Sequence, residues 1–163
     1  MTDVADRIQQ AWERERPDLD FSSIGILTRL VRISSHLHRA RSVELAAIGS
    51  DESMLDLLAT LRRAGTPYRL TPGELEHASL VSAGAISQRL DRAERQGFVR
   101  RTRDGRDRRV VQVELTHVGK TEVDRVVAEV MRRESYLLQP LTKEECRLLE
   151  QLLQRWLQRF EPD

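Results

Sequence analysis

The sequence predicts a mainly α-helical fold with one small β-hairpin, a winged helix-turn-helix flanked by N- and C-terminal dimerisation helices. Three observations carry this expectation. Residues 71–97 hold two short helical patterns separated by a break, residues 98–116 hold two strand-like runs around an arginine-rich loop, and both ends of the chain carry apolar stripes at helical spacing.

Residues 22–48 contain no proline, and Ile26, Leu30, Ile33, Leu37 and Ala40 recur at alternating spacings of 4 and 3. This is the pattern of a long amphipathic helix with a coiled-coil-like seam, ending near Gly49. Asp51 can cap a following helix, ESMLDLLATLRRA, which Gly65 stops, and TPYR then forms a short loop. Thr71, Pro72 and Glu74 supply an N-cap, a first-turn proline and the glutamate of a capping box, so TPGELEHASL starts another helix.

After a break through Val81 and Ser82, SAGAISQRLDRAERQG places Ile86, Leu90 and Ala93 on one helical face. Ser82, Ser87, Gln88, Arg89 and Arg92 fall elsewhere on that segment, and such side chains read base edges or hold phosphates when a helix lies in the major groove. Gly97 suits the left-handed position that closes a helix. A strand from Phe98 through Arg101 and a second strand, RVVQVEL, then enclose the loop TRDGRDR, with Val111, Val113 and Leu115 on one face and Gln112 and Glu114 on the other.

Between Phe98 and Arg109 stand six arginines against two aspartates, whereas the whole chain carries a net charge of only +1. Positive charge concentrated on one hairpin is the electrostatic footprint of a phosphate partner. Beyond the hairpin, Thr116 caps a helix whose Val123, Val126, Val127, Val130 and Met131 share a face. Pro140 interrupts it, Thr142 and Glu145 form another capping box, and Leu149, Leu153, Trp156 and Phe160 line the last helix.

The organisation expected is therefore an accessory and long dimerisation helix in residues 1–50, a winged helix-turn-helix in 51–116 and dimerisation helices in 117–163. The apolar stripes at the two ends are too long for the small central fold to cover, which predicts a homodimer joined through both ends. A two-fold dimer presents two recognition helices to an inverted-repeat DNA site, with half-sites roughly 34–36 Å apart when one turn separates them.

A chain of 163 residues holds one compact core, or one domain with an oligomerisation element, and not two enzyme domains. No apolar run is long enough to span a membrane, and the first residues lack a secretory signal core. Cys146 is the only cysteine, so no intramolecular disulfide is possible and a cytoplasmic setting is expected. His36 and His38 point to different helical faces, and His77 and His117 stand alone, so no metal is expected. Neither a nucleophile with a base at recognisable spacing nor a phosphate-binding glycine loop is visible. The sequence thus predicts no enzyme and no cofactor.

Over nearly its whole length the chain resembles the MarR family of transcriptional regulators. The segments that carry the likeness are LTPGEL, SAGAISQRLDRAERQGFVRR and DGRDRRVVQVELT. The resemblance implies that the wing aspartate Asp107 steers Arg109 toward the minor groove, with Arg106 and Arg108 as backbone contacts. An additional N-terminal helix bearing Trp12, followed by RERPDLD, resembles the urate-responsive, PecS-like branch of that family. This narrower likeness implies an anion pocket made by Trp12, Asp56, Arg89 and Arg101, and a small anionic effector, urate-like or a carboxylate.

The chemistry of that quartet is coherent. Two guanidiniums offer fixed donor forks to an anion, an indole covers an aromatic ring or donates its N–H, and a carboxylate nearby is repelled by an arriving anion. Plainer roles exist for each residue: Trp12 as an anchor for its helix, Asp56 in a surface ion pair, Arg89 in a phosphate contact or paired with Asp91 or Glu94, and Arg101 in similar roles.

Overall fold

The computed structural model describes residues 2–79, 83–103 and 111–161. Within them the chain forms seven helices and three strands, the mainly helical class expected. It divides into two compact units, Met1–Asp51 and Glu52–Asp163.

The first unit is a pair of helices, α1 (Val4–Glu15) and α2 (Ser22–Ala47). Helix α1 starts because Asp3 satisfies amides that the helix leaves orphaned: its carboxylate accepts from the Ala5 and Asp6 N–H groups, and Asp6 accepts in return from the Asp3 N–H at 2.9 Å. Arg29 of α2 then reaches both carboxylates, donating to Asp3 at 2.9 Å and to Asp6 at 2.5 Å. One guanidinium therefore fastens the start of α1 to α2. Trp12 stacks on Phe21 with ring centroids 5.8 Å apart, closing the pair at its other end. Helix α2 ends at Ala47, and Gly49 follows at φ +76°, the left-handed conformation in which glycine carries no Cβ penalty.

The second unit is built around α3 (Glu52–Arg63), in which Met54, Leu55, Leu57, Leu58 and Leu61 are all buried. Helices α4 (Pro72–Ser79), α5 (Ala83–Arg95) and α6 (His117–Leu137) pack on it, together with strand β3. The shared core adds Leu75, Ile86, Leu90, Ala93, Val113, Leu115, Val123, Val126 and Val130. Close packing of such aliphatic side chains supplies the main stabilisation, at about 1.5–3 kcal/mol for each large one removed from water. Met131, expected on the same face as the valines of α6, is instead exposed.

Strands β1 (Arg69–Leu70), β2 (Val99–Arg103) and β3 (Val111–Leu115) form an antiparallel sheet in the order β1-β3-β2. The expected TPYR loop is thus corrected at its end, because Arg69 begins a strand that pairs with Glu114, followed by Leu70 with Val113. A two-residue strand has no alternation to read; it exists because β3 offers its backbone groups. Tyr68, at φ +60°, leads into it and accepts from the Leu115 N–H through its carbonyl at 3.0 Å.

The end of the hairpin is locked to α6 by Thr116. Its Oγ1 accepts from the Gly119 N–H at 3.0 Å and its hydroxyl donates to the Gly97 carbonyl at 2.7 Å. Helix α7 (Lys143–Leu157) opens with the anticipated capping box, Thr142 and Glu145 exchanging bonds of 2.7 and 3.2 Å. Phe160, expected on this helix, lies beyond its end in a turn and is exposed. None of the residues of α7 is buried.

Candidate nucleic-acid interface

Helix α4 begins where the sequence places it. The Thr71 N–H donates to Glu74 Oε2 at 2.7 Å and the Glu74 N–H donates to Thr71 Oγ1 at 3.2 Å, a reciprocal cap. These bonds from Thr71, backbone first and hydroxyl second, hold the Glu74 carboxyl below its ordinary range.

Helix α5 buries Ile86, Leu90 and Ala93 and leaves Gly84, Ser87, Gln88 and Asp91 exposed along one line of the opposite surface. Of the residues expected to meet DNA, Ser87 and Gln88 are exposed, while Arg89 and Arg92 are half-buried at its flank. Ser82, Arg106, Arg108 and Arg109, and with them Asp107, lie outside the described residues. Gly97, at φ +74°, turns the chain from α5 into β2.

Strand β2 pairs with β3 in a register that sets Arg100 opposite Glu114 and Arg101 opposite Val113. Arg100 uses its pairing position to form an ion pair with Glu114 at 2.9 Å, so part of the basic charge counted on the hairpin is neutralised within the sheet. Arg101 is turned toward α5, where it donates to Asp91 at 2.6 Å and to Glu94 at 3.1 Å. Its backbone N–H also donates to Glu94, at 3.2 Å. Nearness in sequence suggests these carboxylates as partners of Arg89, yet Arg89 instead reaches α3, donating from Nη1 to Asp56 Oδ2 at 2.9 Å. Spacing along one helix could not reveal either pair, because each joins residues from two elements.

The residues expected to hold an anion are therefore distributed as follows. Asp56 and Arg89 meet directly, Arg101 is engaged by Asp91 and Glu94, and Trp12, half exposed, belongs to the first unit. An open pocket of about 340 Å³ lies between Pro72 and Glu76 of α4, Ser87, Leu90 and Asp91 of α5, and Arg101 and Val111 of the sheet. Arg101 is the one residue of the expected quartet among those lining it. Among the described residues no group of three His, Cys, Asp or Glu side chains is placed to hold a metal ion. No helix among them is long and apolar enough to cross a membrane.

A capped two-helix motif followed at once by a hairpin, with a polar line on the second helix, defines a winged helix-turn-helix DNA-binding protein. The sequence pattern of the MarR family matches residues 54–110, the segment that contains the two-helix motif and the first strand of the hairpin. Over 153 residues the chain is 37% identical to the HTH-type transcriptional regulator PecS of Dickeya dadantii, covering 94% of this chain and 92% of that protein. It is also 27% identical over 136 residues to the HTH-type transcriptional repressor YetL of Bacillus subtilis, covering 83% and 81% of the two chains. Among solved structures, a mutant MarR from E. coli complexed with operator DNA superposes with a TM-score of 0.67 at 29% identity, covering 84% of this chain and 97% of that one. A MarR family protein from Bacillus stearothermophilus shares the fold with a TM-score of 0.72 at 24% identity, over 88% and 99% of the chains. The chain belongs to the MarR family: it is a DNA-binding transcription regulator and not an enzyme.

Proposed function

We propose that this regulator acts as a homodimeric repressor in the cytoplasm, binds an inverted-repeat DNA site through α5 and the wing, and is released by a small anion. The anion is urate-like or a carboxylate, and its site is assigned to Trp12, Asp56, Arg89 and Arg101. Supporting the repressor reading is the 27% identical relative named a transcriptional repressor. Supporting the wing contacts of Arg106, Arg108 and Arg109 is the excess of arginine there. Ser82, Ser87, Gln88, Arg89 and Arg92 are assigned to the groove and its flanking phosphates.

The observation that carries the reading is the ion pair between Asp56 of α3 and Arg89 of α5. An anion competing for Arg89 must separate it from Asp56, and the repulsion between anion and carboxylate acts across two packed helices, one of which meets DNA. Binding at one site then changes the other through a named element, as allostery requires.

A dimer is supported by apolar surface. Ile26, Leu27, Val31, Ile33 and Leu37 are exposed along α2, and Leu148, Leu149, Leu152, Leu153 and Leu157 are exposed along α7. Large apolar side chains exposed in number along a helix mark an interaction site, and a second copy supplies matching surface for each.

The test is a gel shift on an inverted-repeat duplex selected by the wild-type protein, with urate and, separately, citrate titrated in, beside sedimentation of the free protein. Release of DNA by either anion from a dimer is expected. Indifference to both favours the second reading, a ligand-insensitive regulator or activator whose N-terminal helix is structural. That reading draws on the stack of Trp12 on Phe21 and the clamp of Arg29 on Asp3 and Asp6, which together account for α1 without a ligand.

A further inference from the structure

We infer that Arg101 is a positioning residue for DNA binding, which acts by masking two carboxylates of the recognition helix, Asp91 and Glu94. The inference rests on the reading that the exposed line of α5 faces the DNA. Asp91 falls on that line with Gly84, Ser87 and Gln88, at the spacings i, i+3, i+4 and i+7 that share one helical face. Glu94 is exposed one turn further on. Two carboxylates at this end of a helix approaching a polyanion oppose binding, since the repulsion from a phosphate touched by the same end of the helix acts within a Debye length, about 8–10 Å.

The guanidinium of Arg101 answers both. Nη2 donates to Asp91 Oδ1 at 2.6 Å and Nη1 to Glu94 Oε2 at 3.1 Å, so one fork holds one oxygen of each. The third bond, from the Arg101 backbone N–H to Glu94 Oε1 at 3.2 Å, fixes the middle of β2 against α5. Arg101 thereby ties the first strand of the wing to the helix it accompanies, and lowers the charge of this cluster from two negative units to one. An anion that captures Arg101 takes the fork from Asp91 and Glu94 and leaves their charge facing the phosphates. Ligand capture is turned into repulsion without any large movement.

A double-mutant cycle on the full chain tests this. Binding to the selected duplex is measured for wild type, Arg101→Ala, the pair Asp91→Asn with Glu94→Gln, and the three substitutions together. If Arg101 masks the carboxylates, neutralising them strengthens binding roughly tenfold more in the Arg101→Ala background than in wild type, a coupling within the range for residues sharing one network. A general charge effect strengthens binding by the same factor in both backgrounds, and that result overturns the inference. Arg101→Met, which keeps the aliphatic stem, replaces Arg101→Ala in the cycle if the latter does not fold. Gln88→Ala distinguishes failure of the masking from failure of the DNA-facing placement: if it changes neither affinity nor sequence preference, the placement of α5 on DNA fails. If Gln88→Ala weakens binding while the cycle is additive, only the masking by Arg101 fails.

Discussion

Arg89 and Asp56 form an ion pair of 2.9 Å between α5 and α3, with about a fifth and a third of their side-chain surfaces left exposed (22% and 37%). A partly exposed pair of this kind contributes only about 0–1 kcal/mol to folding. Its importance lies in connecting the helix assigned to the groove with the most buried helix of the unit.

Asp56→Asn is expected to leave Arg89 in place while removing its charge partner. Anion affinity then stays the same or rises, because the guanidinium no longer has a carboxylate to give up, and release from DNA is blunted. Isothermal titration with urate or citrate, beside the gel shift, reads both effects. Release identical to that of wild type removes Asp56 from the switch.

The groove and the wing are expected to respond differently to substitution. Gln88→Ala relaxes sequence preference and costs roughly 1–3 kcal/mol on the preferred duplex if the amide makes a bidentate base contact. Arg109→Ala weakens binding to all sequences and flattens the salt dependence by about 0.9 in the log–log slope for each phosphate that is no longer neutralised. Fluorescence anisotropy across a salt series distinguishes the two.

Gly119→Ala is expected to destabilise the fold even though alanine is the better helix former by about 0.5–1 kcal/mol. A Cβ at this position would stand 1.9 Å from the carbonyl oxygen of Phe98 and 2.7 Å from its carbon, and a backbone atom cannot swing aside as a side chain does. Overpacking of this kind costs typically about 1–3 kcal/mol, so the net effect is a loss. Thermal unfolding read by circular dichroism should show a lower midpoint, and an unchanged or raised midpoint contradicts the close packing of α6 on the root of the wing.

Acid is expected to loosen the first unit. Asp3 and Asp6 are both held below the ordinary aspartate value of 3.8, first by each other's backbone N–H and then by Arg29. A depressed folded-state value means that this stabilisation is present above the unfolded value and is lost as the pH falls through the lowered ones. Trp12 emission, followed in a Trp156→Phe background as the pH is lowered, should report the loosening. Arg29→Met should move the transition toward higher pH, because the carboxylates then protonate more readily; a transition that does not move would detach Arg29 from the latch.

If the proposed dimer is joined through α7, placing a charge on its exposed face, as in Leu153→Glu, is expected to yield a monomer and weaken binding to the proposed inverted repeat. None of the α7 residues is buried within the chain, so the substitution leaves the intramolecular core intact. Sedimentation velocity reads the assembly and circular dichroism checks that helicity is kept. A variant that remains dimeric places the interface elsewhere.

The sequence by itself determined the helices and their limits wherever the determinants are local. The Thr71–Glu74 and Thr142–Glu145 boxes, the glycines at 49, 65 and 97, and the aliphatic spacing of α5 are all interactions within one turn, legible in neighbouring residues. It also concentrated arginine on one hairpin and placed Trp12 on its own helix. Tertiary structure decided which charges remain available. Arg100 is taken by Glu114 across the sheet, Arg101 by Asp91 and Glu94, and Arg89 by an aspartate 33 positions away in the chain. It also created β1, whose two residues become a strand only because β3 lies beside them. The physical reason is common to all of these. Backbone caps and helical periodicity act through covalent neighbours, whereas an ion pair or a strand pairing depends on which distant groups the folded core brings within hydrogen-bonding distance.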